Sequence, residues 1–297
     1  MKHTAIVCAS ADASAAEQYL APYTAATLGE YFMYNGKDAL AVFDDLTKHA
    51  WIYRQMSLLM ERSPGREAYP GDIFYLHSRL LERAAQLKKG KGGGSMTFLP
   101  IAETLQGDIT GYIQTNLISI TDGQIYINSA LFREGFKPAI DMGLSVSRIG
   151  SRVQCPAIKE LGKGLRLDYA QYREMLRLTK LRTRLSDEAM AKMKHGEVLY
   201  QLLMQPNYEP LSTEQEIVFF YAFKRGILEV ISPPALRRFI GEFFAYLKEE
   251  NTGLVERIGQ ARDLTTEIKA ELDREYSRFF KKLKEDEEDR LAGKTAN

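Results

Sequence analysis

Apolar residues in the first half of the chain come in short blocks separated by polar and glycine-rich spacers. TAIVCA, residues 4–9, predicts a short buried strand, and residues 15–35 carry a helical pattern with a break at Pro22. ALAVF, residues 39–43, predicts a second buried strand, closed by Asp44 and Asp45. Residues 46–61 are helical, with Tyr53, Met56, Leu59 and Met60 on one face. SPGREAYPGD, residues 63–72, reads as a loop. Asp72 is placed to cap a helix running to about Leu87, and KKGKGGGS turns the chain into another apolar run, residues 96–102. TNLISI and QIYIN then predict two strands joined by a Thr121-Asp-Gly hairpin turn, and residues 139–146 predict a last strand.

Alternation of this kind predicts an α/β fold with a parallel sheet covered on both faces. The texture changes after Cys155-Pro156. Strand signals stop, and leucine-rich stretches with interspersed Arg, Lys and Glu run at helical spacing almost to the end. The expected division is 1–154 for the α/β part and 155–297 for an all-α helical bundle. The charged tail KKLKEDEEDRLAGKTAN predicts a solvated helix end that frays.

Composition narrows the function classes. The 297 residues are 45% hydrophobic, enough for a sizeable core, and 40 basic against 39 acidic residues leave no global field for nucleic acid or anionic lipid. Cys8 and Cys155 offer neither a disulfide framework nor zinc-ligand spacing, which fits a reducing compartment. The apolar part of MKHTAIVCASADASAAE is shorter than the roughly 7–15 residues of a signal peptide. No run reaches the roughly 20 apolar residues of a membrane span.

Two stretches carry candidate chemistry. Asp44 stands at the carboxyl end of a predicted strand, where α/β nucleotide-binding folds place an aspartate that holds magnesium. The plain alternative is that Asp45 caps the next helix and Asp44 is a turn residue. A phosphate loop, G-x-x-x-x-G-K-[ST], is absent. Gly293-Lys-Thr has Glu288 where the first glycine belongs and no strand before it, and GGGS at 92–95 has no lysine in register. In MGLSVSRIGSR, Arg148 follows small and apolar residues and is flanked by glycine and serine. An arginine so placed can neutralise charge on a γ-phosphate held elsewhere, with a planar fork that lysine lacks. A surface arginine at a strand end is the alternative, as turn or strand positions are for Ser145 and Ser147.

In order along the chain, YLAPYTAATLGEYFMYNGKDALAVFDDLTKHA, YRQMSLLMERSPGREAYPGDIFYLHSRLLERAA, GGGS, TNLISITDGQIYI, SVSRIGS, LRLDYAQYRE and QPNYEP resemble the alpha subunits of F-type ATP synthases. The likeness runs from about residue 4 to beyond 240, and GREAYPGD with SVSRIG separates alpha from the catalytic beta paralogue. The resemblance implies an incomplete RecA-like nucleotide-binding sheet followed by a helical domain. It implies an alternating alpha-beta hexamer around the central gamma shaft, peripheral to the cytoplasmic face of the cell membrane, where the complex couples ATP synthesis or hydrolysis to proton transport. Alpha binds a non-catalytic ATP or ADP with Mg2+ and lends an arginine to beta. By the same resemblance Arg148 falls on that finger, Ser145 on a serine of its motif, and Asp44 on the magnesium-side aspartate. Lys137, Pro138, Gln205 and Asn207 fall on the adenine pocket.

Departures set the expectations for this chain. The family's N-terminal β-barrel, phosphate loop and several strands precede the point where this sequence begins, so a truncated or split subunit is expected, completed by a separate N-terminal alpha fragment or by beta. Lys137 replaces a usual arginine, Asn207 a frequent glutamine, and CPAIKELG and LRLTKLRTRL diverge. The competing expectation is a remnant that acts as a protein-interaction module without nucleotide binding. An independent ATPase would need the missing loop.

Overall fold

The computed structural model describes residues 3–180 and 186–295, with side-chain surroundings through residue 178 and from 186 to 286. The chain divides into two compact units, 1–124 and 125–297. Each has its own core.

Unit 1 is a small parallel sheet with helices against one face. Helix α1 (Ala15–Tyr34) leads into β1 (Asp38–Phe43), then α2 (Leu46–Leu59), α3 (Ile73–Leu81), β2 (Ser95–Pro100), α4 (Tyr112–Ile120) and the two-residue strand β3 (Gly123–Gln124). β1 and β2 pair in parallel, with Ala39 opposite Met96 and Val42 opposite Leu99. The alternating side chains sort the faces. Phe43, Met96 and the flanking Ala41 and Phe98 turn to the core, whereas Leu40 and Val42 stay 63% and 55% exposed. The expected strand over 39–43 is therefore present, but it is buried on one face.

Five expectations for this unit change. Residues 4–9 form no strand and lie mostly exposed, because among the described residues no neighbouring strand accepts their hydrogen bonds. Pro22 does not break α1. It removes one helical hydrogen bond, and the burial of Ala26, Gly29 and Met33 beyond it offsets that loss. TNLISI is helix rather than strand: Ile113, Asn116 and Leu117 are buried at helical spacing within α4. Helix α3 also ends at Leu81, short of Leu87. Its N-terminal Asp72 makes no side-chain cap and instead accepts from Tyr53 Oη and Arg62 Nη2, both at 2.8 Å.

Unit 2 opens with an irregular segment holding α5 (Ser129–Arg133), β4 (Val146–Ser147) and α6 (Gly150–Val153). The expected strand over 139–146 shrinks to β4, since the Asp141 carboxylate accepts from the amides of Gly143 and Leu144 and folds the chain into a turn. From there the unit is helical: α7 (Pro156–Leu161), α8 (Leu165–Lys180), α9 (Asp187–Leu203), α10 (Thr213–Lys224), α11 (Pro233–Glu250), α12 (Thr252–Ala261) and α13 (Thr266–Thr295). Serine caps start α9, α10 and α11, at Ser186, Ser212 and Ser232. An aromatic core joins α10, α11 and α13. Phe243 lies 4.9 Å from Phe239 and 5.0 Å from Tyr276 between ring centroids, and the buried Tyr276 hydroxyl donates to Val218 O at 2.7 Å. The basic run 176–185 and the tail side chains from 287 onward fall in part or wholly outside the described residues.

Candidate functional site

The segment 126–150 of unit 2 is organised by Asp141. Its backbone amide donates to Tyr126 O at 2.9 Å, and its Oδ1 accepts from Gly143 N at 2.9 Å and Leu144 N at 3.1 Å. Asn128 Nδ2 donates to its Oδ2 at 3.1 Å. Four bonds on one residue fix the turn that delivers the next four positions. Ser145 N donates back to Asp141 O at 2.9 Å, and the Ser145 hydroxyl accepts from Tyr126 N at 2.9 Å. Ser147 Oγ accepts from Gly150 N at 2.9 Å, tying the start of α6 to β4. Arg148 stands between these anchors, exposed, in the bend between β4 and α6. Ser145 thus braces the segment, and Ser147 closes the turn that carries Arg148.

The second group lies on two loops of the same unit. The Lys137–Pro138 peptide is cis, and Lys137 O accepts from Gln205 N at 2.8 Å. The loop after α5 is thereby joined to the loop between α9 and α10. Lys137 Nζ sits 5.1 Å from the Phe132 ring centroid, a cation–π contact that holds the ammonium over an exposed ring. Pro138 and Asn207 are exposed, and Gln205 is half-buried. Lys137, Pro138 and Gln205 are brought together; Asn207 stands on the turn just beyond, beside the fully exposed Tyr208. The two loops thus present a proline edge, an aromatic ring and a half-buried glutamine close together in the chain's fold.

Asp44 belongs to unit 1. It is exposed at the C-terminal end of β1, in cis peptide linkage to Asp45. Asp45 is buried, caps α2 by accepting from Lys48 N at 2.7 Å, and pairs with Lys48 Nζ at 2.5 Å. The dipeptide divides the labour: the second aspartate is structural, and the first is presented to solvent. Among the described residues no group of three or more His, Cys, Asp or Glu side chains gathers to hold a metal ion. A single carboxylate matches magnesium, which keeps several waters and takes its other ligands from phosphate.

Residue-by-residue reading missed Asp141 and Phe132. The Asp-Met-Gly triplet was the available signal for the first, since aspartate two residues before glycine favours a side-chain-closed turn.

A one-faced parallel sheet with helices, followed by a helical unit, defines the class as an α/β domain joined to an all-α domain. Comparison with known proteins makes this specific. The family model for the ATP synthase alpha/beta family, nucleotide-binding domain, matches residues 1–147, and that for the ATP synthase alpha/beta chain, C terminal domain, matches residues 154–279. The chain is 49% identical over 280 residues to the ATP synthase subunit alpha of Petrotoga mobilis, covering 94% of this chain and 56% of the relative. It is 48% identical over 279 residues to that of Clostridium botulinum strain Hall, covering 94% and 55%. The chain belongs to the ATP synthase alpha/beta family, and it spans about half the length of the curated relatives it matches. No helix among the described residues is long and apolar enough to cross a membrane.

Proposed function

We propose that this chain acts as an alpha-type, non-catalytic subunit of an ATP synthase head and donates Arg148 to a catalytic site carried by a beta subunit. The observation that carries the reading is the mounting of Arg148: exposed, in a short bend whose flanks are fixed by Asp141, Ser145 and Ser147. A braced turn fixes the backbone from which the guanidinium reaches out, and its planar fork suits the equatorial oxygens of a γ-phosphoryl group in transfer. Bond making and breaking then occur on the beta subunit, with Arg148 stabilising the charge that develops.

In the same reading Lys137, Pro138, Gln205 and Asn207 hold the base of a regulatory ATP or ADP. Asp44 faces its magnesium, through water or directly, once a phosphate loop from the remainder of an alpha-type subunit supplies the phosphate grip. The partners are beta, the gamma shaft, and an N-terminal alpha segment that completes the sheet. The complex couples ATP turnover to proton transport at the cytoplasmic face of the membrane.

The test is replacement of Arg148 in an assembled complex. Arg148→Ala and Arg148→Lys are expected to lower steady-state ATP turnover by about a thousandfold or more while nucleotide binding at beta changes little. Unchanged turnover would refute the role. The open face of β1 and β2 favours one other reading, an interaction module without a part in turnover. Co-purification separates the two: recovery in a complex with ATPase activity supports the first, and recovery with partners but no effect of the Arg148 substitutions supports the second.

A further inference from the structure

Unit 1 buries two histidines side by side. His49 on α2 is 4% exposed and His77 on α3 is 0% exposed, with ring centroids 5.6 Å apart. Tyr19 of α1 lies over His49 at 5.4 Å, and Tyr23 meets it edge-on at 5.9 Å. The pair is therefore the point where α1, α2 and α3 converge.

The pair is poor in hydrogen bonds. His49 Nε2–H donates to Tyr19 O at 3.1 Å, whereas His49 Nδ1 and both nitrogens of His77 have no partner. The Leu46 backbone acts weakly on His77 without reaching hydrogen-bond geometry. The titratable and charged groups around the rings are Tyr19 and Tyr23 from α1, Tyr53 from α2 and Arg79 from α3. Arg79 donates to Tyr19 Oη at 2.8 Å and to Tyr23 Oη at 3.3 Å. Asp72 is reached through the Tyr53 hydroxyl and is already paired with Arg62. No carboxylate acts on either ring, so a proton arriving on one imidazole finds a cation beside it and no counter-charge.

We propose that the His49–His77 pair is an acid-operated latch: with both rings neutral it locks α1 onto α2 and α3, and its protonation releases α1 and opens unit 1 while unit 2 stays folded. Burial first, then the neighbouring charge, lowers His49 to about 4 and His77 to about 3. The ordinary histidine value is near 6.5, so below that pH the unfolded chain binds more protons than the folded one. Stability from the pair is full above pH about 6.5 and drains away as pH falls toward the folded values. Between pH 7 and 5 the opening equilibrium rises about 20-fold per histidine and several hundredfold for both.

The experiment uses the whole chain. Trp51 is its sole tryptophan and sits on α2 close to His49 in sequence, so its emission reports unit 1. Pepsin cleavage mapped by mass spectrometry reports both units. The expected result is a Trp51 transition between about pH 6 and 4, with first cuts within residues 1–124 and later cuts in 125–297. The double variant His49→Gln/His77→Phe moves the transition down by about one pH unit or more, and His195→Gln leaves it in place. Should the double variant fail to fold, proton NMR titration of the wild-type histidine ring signals decides. Rings that stay neutral until the transition support the latch, and rings that titrate near 6.5 in a still-folded chain overturn it. Equal midpoints for wild type and double variant, or simultaneous cleavage of both units, also overturn it.

Discussion

Two glycines show how a single side-chain atom decides packing. A Cβ built on Gly196 of α9 would lie 2.3 Å from Tyr172 Cβ and 2.6 Å from its Cγ. Those atoms sit close to the α8 backbone and cannot swing away. Alanine gains about 1 kcal/mol over glycine in a helix, whereas overpacking costs about 1–3 kcal/mol or more, so the clash wins. Gly196→Ala is expected to destabilise the chain by about 1–2 kcal/mol, read as a lower urea midpoint at unchanged slope. Gly29 is the contrast: its new Cβ would meet Met96 Sδ at 2.7 Å, part of a flexible thioether that can move. Gly29→Ala is expected to change the midpoint less than Gly196→Ala does. A larger loss at Gly29 would show that Met96 is pinned.

At the scale of an element, Asp44 and Asp45 part company. Removing the α2 cap with Asp45→Ala is expected to cost about 1–2 kcal/mol, since Lys48 N loses its acceptor inside a buried turn. Asp44→Ala is expected to move stability by less than about 0.5 kcal/mol, because the residue is exposed. Equal effects in thermal denaturation would contradict this division. The sequence already offered that capping role for Asp45, and ALAVF gave β1 from its unbroken apolar run. TNLISI was illegible as helix because β-branched residues at short range imitate a strand. What selects helix is the burial of Ile113 and Leu117 in the unit 1 core, a tertiary fact. Residues 139–146 misled for the reverse reason: an apolar run suggested a strand, and one aspartate folding its own backbone turned it aside. The resemblance points to Arg148, Lys137 and Gln205 as candidates, but the hydrogen bond that unites Lys137 with Gln205 spans too much chain for any local pattern to reveal.

At the scale of the whole molecule, the sheet of unit 1 is the feature most in need of company. Parallel sheets occur with both faces covered, yet Leu40, Val42 and Leu99 are 63%, 55% and 45% exposed on one side. A contiguous apolar face of this kind favours association. The isolated chain is expected to self-associate as its concentration rises, and Leu40→Thr/Val42→Thr is expected to raise the monomer fraction in sedimentation velocity, since threonine keeps strand propensity while reducing apolar area. A partner segment that covers the face would stabilise the folded chain by mass action, about 2.7 kcal/mol at a hundred times its Kd, and the same double substitution should weaken that gain. If the variant self-associates like the parent and gains as much from the partner, the face is not where either contact is made, and association must run through some other surface of the chain.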